Sequence, residues 1–232
     1  MFKKLFHRKK DLVTLDVING YAHWAKNYPA TTHNPLMEAE QQAMLSLLPK
    51  NLGGKVCLDL ACGSGRYIRI LQERGARRVI GLDYSPDMLA QANNPESNIQ
   101  QPKLVRAPFV TLPFASEMFE FIICGLAVGH EKDLYQLLTE AARVLHPGGM
   151  LLYSDFHPFG TLLGWQRTFT ADNGAVYSLE HHLHLYSHHQ QSCRAAGLTI
   201  DAVLEPFGGP NVPPNAQNIP VVLVIRALKT DN

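Results

Sequence analysis

The chain has 232 residues, 46% of them hydrophobic, with 21 basic and 20 acidic side chains for a formal charge of +1. That is enough for one α/β domain with a small elaboration but not for two full domains, and nothing in the overall charge points to nucleic acid or a membrane surface. The charge is uneven: Lys3, Lys4, Arg8, Lys9 and Lys10 stand in the first ten positions, leaving 16 basic against 20 acidic residues in the rest.

Met1 to Lys10 lacks the apolar run of a signal peptide, and no later stretch is apolar for long enough to span a bilayer, so a cytoplasmic protein is expected. The basic tail reads as a solvated end or as a contact for an acidic partner such as a carrier protein. Cys57, Cys62, Cys124 and Cys193 have no paired metal-ligand spacing and read as reduced core thiols. Between Asp11 and Pro49 the pattern predicts two helices with an irregular joint at Tyr28-Pro29-Ala30, the second starting at Asn34-Pro35. Tyr21, Trp24 and Tyr28 share one helical face, either packing on the core or folding over a ligand as a lid.

Val56 to Leu60 is a short apolar run suited to a central parallel strand, and Ala61-Cys62-Gly63-Ser64-Gly65 turns into a helix opening at Arg66. A phosphate loop would need Lys followed by Ser or Thr after the second glycine, where this chain has Arg66-Tyr67. A dinucleotide fingerprint would place a third glycine where Ile68 stands. Asp59, a carboxylate in an apolar strand, would be costly beside a pyrophosphate and sensible beside a cation. Val79 to Asp83 is the next strand, ending in a second carboxylate before the helix that starts at Pro86.

Leu58-Asp59-Leu60-Ala61-Cys62-Gly63-Ser64-Gly65, together with Val79-Ile80-Gly81-Leu82-Asp83, resembles the first two motifs of class I S-adenosylmethionine-dependent methyltransferases. Arg143-Val144-Leu145-His146-Pro147-Gly148-Gly149 is another match to that family. The resemblance implies a doubly wound, mostly parallel seven-stranded sheet, with an N-terminal tail and helical lid over residues 1–50 and a core over 51–232. It also implies that S-adenosylmethionine is held by Asp59, Ala61, Cys62, Gly63, Gly65, Asp83, Tyr84, Met88, Ala107, Pro108, Phe109, Gly125 and Leu126. Asp83 would accept from the ribose hydroxyls. Two positions depart from the pattern: Ala61 stands where many members have glycine, and Pro108 where many relatives have an acid for the adenine amine.

Further along, strands are expected at Lys103 to Arg106, Phe119 to Cys124 and Met150 to Asp155, with a helix from Lys132 to His146 stopped by Pro147-Gly148-Gly149. Trp165 to Thr170 and Ala175 to Leu185 flank Asp172-Asn173-Gly174, a hairpin signal, and predict an antiparallel ribbon inserted at about 156–187. In His181 to His189, His182 and His184 would share a strand face, but no acidic or cysteine partner completes a metal site, so a solvated face or an anion-binding rim is expected. A helix from His188 to Ala196, a strand from Leu198 to Leu204, a loop from Pro206 to Pro220 and a last strand from Val221 to Leu228 close the chain.

Candidate catalytic groups are His130, His157 and Tyr21; candidate acceptor contacts are Tyr21, Trp24, Tyr28, His157, Trp165 and Arg167. Tyr21, Trp24, His33-Asn34-Pro35-Leu36-Met37 and Ser154-Asp155-Phe156-His157-Pro158 are similar to chains assigned as malonyl-carrier-protein O-methyltransferases of biotin synthesis. That resemblance implies an ionised carboxylate acceptor, which needs alignment more than a base. Another small O, N or C acceptor, or cofactor binding without turnover, are the alternatives; the oligomeric state is not legible.

Overall fold

In the computed structural model, residues 12–94, 102–171, 174–208 and 217–230 are described; the basic tail, Asp172-Asn173 and part of the 206–220 loop lie outside them. Val56–Leu60 is a strand (β2) buried at every position, as its apolar run requires. It lies at the middle of a seven-stranded sheet in the order β4-β3-β2-β5-β6-β10-β9. Here β3 is Arg78–Asp83, β4 Lys103–Arg106, β5 Phe119–Cys124, β6 Leu145–Phe156, β9 Leu198–Leu204 and β10 Val222–Lys229. The first five pair in parallel, while β10 runs antiparallel to both β6 and β9.

One face is covered by α2 (Pro35–Leu47) and α3 (Arg66–Glu73), the other by α5 (Leu134–Val144) and α7 (Tyr186–Ala195). Helix α2 begins where Asn34 accepts the Met37 amide at 2.9 Å with Pro35 in its first turn, and it packs into the core through Met37, Ala43 and Met44. Helix α4 (Pro86–Ala92) is capped by Ser85. Ile68, at the position a dinucleotide fold reserves for glycine, is fully buried. Its space comes from the neighbouring strand, because a Cβ on Gly81 would lie 2.5 Å from Ile68 Cδ1.

Two expectations along the sheet change. The helix predicted over Lys132 to His146 ends at Val144, and β6 starts at once at Leu145. Phe119 pairs with Leu145 and Phe121 with Met150, so His146-Pro147-Gly148-Gly149 is a bulge inside the strand rather than a turn before it.

The inserted ribbon is shorter than predicted: β7 (Thr168–Thr170) and β8 (Val176–Leu179) pair antiparallel, after a short helix α6 (Pro158–Leu162) that the sequence did not announce. Beyond Leu179 the chain leaves the ladder, the Glu180 amide donating to Leu15 O and the His182 amide to Gly129 O. His182 and His184 therefore share no strand face; His184 donates through Nε2 to Glu131 O. A two-residue strand, β1 (Thr14–Leu15), adds to β8 in parallel, and α1 (Val17–Trp24) follows it. All four cysteines are buried and unpaired.

Candidate functional site

The carboxyl ends of β2, β3, β5 and β6 lie side by side, the place where open α/β sheets bind ligands. Asp59 sits in β2 with 1% of its surface exposed, and its Oδ2 has no hydrogen-bond partner among the described residues. Burial pushes this carboxyl well above the usual range, against the pull of the Arg66 guanidinium and the Ile68 amide. Asp83 ends β3 and ties the two motifs together: Oδ2 accepts the Gly63 amide and Oδ1 the Ser85 amide, each at 2.8 Å. Burial raises its pKa, and those amides oppose the shift. Between the two acids the chain passes through Ala61 at φ 58°, a left-handed position that glycine adopts more readily.

A pocket opens here. Of the cofactor positions expected from sequence, Asp59, Ala61, Cys62, Gly63 and Asp83 line it from the first two motifs. Tyr84, Met88, Phe109, Gly125 and Leu126 line it from the neighbouring loops and α4. Gly65, Ala107 and Pro108 do not line it: Gly65 caps α3, and the Ala107 amide donates to Asp83 O at 3.2 Å. The fit to S-adenosylmethionine is chemical. An orphaned buried carboxylate oxygen at Asp59 suits an ammonium or sulfonium, and Asp83, held at a strand end by two backbone amides, keeps lone pairs for a ribose diol.

The wall behind the pocket was not legible in the sequence. Glu40 of α2 is fully buried; its Oε2 pairs with Arg66 Nη2 at 2.8 Å, and Oε1 accepts from Tyr67 Oη at 2.8 Å and Ser154 Oγ at 2.7 Å. The same Ser154 Oγ accepts the Leu126 amide at 2.9 Å, so one network joins α2, α3, β6 and the end of β5.

A second cavity of about 610 Å³ adjoins it, with Leu36, Phe156, Trp165 and Val221 among its apolar lining and His157 and His181 among its polar lining. Arg167 borders both cavities. This arginine is 9% exposed, donates through Nη1 to Leu126 O, and lies 5.1 Å from the Phe156 ring and 5.9 Å from the Tyr21 ring. Among the described residues no carboxylate comes within ion-pair distance of it.

Of the remaining expected residues, Tyr21 and Tyr28 reach over the first pocket and His130 lies in its wall. Trp24 lines neither cavity and stacks on Phe169 at 5.1 Å, so in this structure it supports the aromatic cluster. His130 donates through Nδ1 to Glu180 O at 2.9 Å, leaving Nε2 to accept from Tyr21 Oη at 3.1 Å. Burial, with Arg167 adding to it, pushes this imidazole down to about 3 and keeps it neutral, and burial raises the Tyr21 phenol. His157 caps α6, its Nδ1 accepting the Phe159 amide at 3.2 Å while Nε2 faces Glu205 Oε1 at 3.1 Å. Both ring nitrogens are engaged in each of these histidines. His181 pairs through Nε2 with Asp155 Oδ1 at 3.0 Å.

Comparison with known proteins agrees with this fold. Residues 58–153 match the family described as "Methyltransferase domain". A 2-phytyl-1,4-naphtoquinone methyltransferase of Thermosynechococcus vestitus is 36% identical over 108 residues, which is 45% of this chain and 48% of that protein. A demethylmenaquinone methyltransferase of Oceanobacillus iheyensis is 30% identical over 120 residues, half of each chain. The chain thus spans about half the length of the curated relatives it matches. Among solved structures, an S-adenosylmethionine-dependent methyltransferase from Mesorhizobium loti superposes with a TM-score of 0.67 at 23% identity, over 82% of this chain and 97% of that one. The fold is therefore the Rossmann-like fold of class I methyltransferases, and within it residues 58–153 are similar to a methyltransferase domain.

Proposed function

We propose that this protein transfers a methyl group from S-adenosylmethionine to a small molecule seated in the 610 Å³ cavity. The observation that carries the reading is Arg167, a single buried side chain lining both the cavity that fits the cofactor and the larger one beside it. An acceptor there would meet the reactive end of the cofactor across this guanidinium. Bound, the cofactor supplies an electrophilic methyl on a sulfonium; the protein's part is to align the acceptor and exclude water. The relatives named for naphthoquinone and menaquinone precursors, and the Phe156 and Trp165 walls, favour an acceptor with an apolar ring.

A second reading, transfer to the carboxylate of a malonyl thioester on a carrier protein as in biotin synthesis, rests on the same Arg167. A buried guanidinium without a carboxylate partner suits an anionic acceptor. Among the described residues no helix is long and apolar enough to cross a membrane.

Labelled methyl transfer separates these readings. The wild-type protein and Asp83→Ala are offered reduced naphthoquinones, malonyl-carrier protein and malonyl thioesters. Label on the naphthol that the variant abolishes supports the first reading, and label on malonate the second. S-adenosylmethionine binding without transfer to any acceptor would turn the reading to a cofactor-binding protein without turnover.

A further inference from the structure

His130 lines the first pocket and His157 and His181 line the second cavity, and hydrogen bonding sorts them. His130 and His157 have both ring nitrogens occupied. His181 does not: its Nε2 faces Asp155 Oδ1 at 3.0 Å, and its Nδ1 has no partner among the described residues. Asp155 is 3% exposed at the end of β6, and the oxygen that meets His181 also accepts the Phe156 amide at 2.8 Å. An ionised carboxylate can only accept, so the proton of neutral His181 resides on Nε2 and the lone pair on Nδ1. The ring lines the second cavity, and its Nε2 side is walled by Asp155 and by Gly129, where a Cβ would come within 2.1 Å of Nε2.

We infer that His181, oriented by Asp155, is the general base of the transfer, and that the acceptor is a hydroxy-aromatic molecule whose oxyanion pairs with Arg167. This rests on the methyltransferase reading above and deepens it. A carboxylate acceptor would need no such base; a carboxylate–imidazole pair whose ring lines an aromatic-walled cavity suits an acceptor that must lose a proton. In the step, the acceptor O–H bond breaks and its proton becomes the Nδ1–H of an imidazolium stabilised by Asp155. The oxygen's electron pair forms the bond to the methyl carbon as the carbon–sulfur bond breaks, its pair remaining on sulfur, and the imidazolium returns its proton to water. Of the titratable and charged groups around His181, Asp155 from β6 pairs with it, the neutral His130 ring from the turn before α5 lies 6.2 Å away, and Arg167, Glu180 and His157 line the same cavity.

The proton transfer can be read without cofactor, using 4-nitrophenol as the probe at a pH below its own pKa. Its phenolate absorbs separately from the phenol, and quenching of Trp165, which lines the cavity, reports binding of either form. The wild-type protein is expected to convert bound probe to phenolate. H181Q should still quench Trp165 while the phenolate fraction falls by tenfold or more, D155N should fall between, and G129A, which pushes the ring aside, should resemble H181Q. With S-adenosylmethionine added, H181Q should lower kcat by about 10²–10⁴-fold for weakly acidic phenols and by much less for phenols already ionised. No bound phenolate with the wild-type protein, or an unchanged phenolate fraction in H181Q, would overturn the assignment. Phenolate formation that depends on His181, with no methyl transfer from bound cofactor, would overturn the transferase reading and leave the dyad standing.

Discussion

Replacing Glu40 tests whether the pocket wall is held from behind. The carboxylate is fully buried, 2.8 Å from Arg66 Nη2, and accepts from the Tyr67 and Ser154 hydroxyls. Glu40→Ala strands a guanidinium that is itself only 8% exposed and leaves two buried hydroxyls short of an acceptor. Breaking one side of a buried ion pair costs about 3–5 kcal/mol, and the hydroxyls cannot simply be added to that because all three groups share one partner. Against a total stability of about 5–15 kcal/mol this is severe, and for a chain of this length it lowers Tm by about 6–20 °C. The assay is urea unfolding of E40A beside the double variant E40M/R66M. The double variant removes both charges, so it should recover most of the loss. A loss under about 1 kcal/mol in E40A, or a double variant no better than the single one, would refute the view that a mutually dependent ion pair secures α2 to the glycine turn.

Three further outcomes follow from the same geometry. Because burial holds the Asp59 carboxyl well above its usual range, binding of a cation beside it should release a proton, so cofactor affinity falls with decreasing pH by at most about tenfold per unit. Calorimetry in buffers of different ionisation enthalpy would detect this, and equal heats across buffers would contradict it. Ala61→Gly should raise stability by about 1 kcal/mol, since Ala61 sits at φ 58° and its Cβ strains there; an unchanged urea midpoint would mean the turn is not strained. His189 is fully buried, its Nε2 has no hydrogen-bond partner among the described residues, and burial pushes it down to about 4. Its folded value lies below its unfolded one, so its contribution is intact above about pH 6.5 and is lost as pH falls toward 4, a swing of about 3 kcal/mol. Urea midpoints at pH 7.5 and 5 should therefore differ less in His189→Leu than in the wild-type protein, and equal differences would exclude the histidine as the cause.

The cofactor side was legible because its signals are local. A carboxylate inside an apolar strand has no packing reason to be there, and Asp59 and Asp83 announce themselves within a few residues of glycine turns or helix starts. Even the departure at Ile68 resolves within the sheet, since Gly81 on the adjacent strand makes the room that the helix does not. Glu40 gave no such signal. In Pro35–Leu47 it sits two residues from Glu38, and only the fold decides that one faces solvent while the other meets Arg66 across the core. The histidine run misled for a related reason. Alternation assigns His182 and His184 to one face only if the ribbon continues, and it stops at Leu179, where backbone bonds to Leu15 and Gly129 take over.

The acceptor side is illegible for a structural reason that also bears on function. Apart from Phe156 at the end of β6, many of its walls come from segments outside the parallel sheet: Thr14 from β1, Trp165 from the segment after α6, and Arg167 and His181 from the two sides of the ribbon. Each is weakly patterned alone, yet Thr14 pairs with Ser178, Tyr21 bonds His130, and His130 bonds the carbonyl of Glu180. The β1–α1 segment, the turn after β5 and the ribbon are thus one hydrogen-bonded unit. Substitutions within it can reshape the acceptor cavity while Asp59 and Asp83, fixed by the sheet, keep their places. Under the proposed function, a site divided in this way places acceptor specificity in the loops and the hold on the cofactor in the strands.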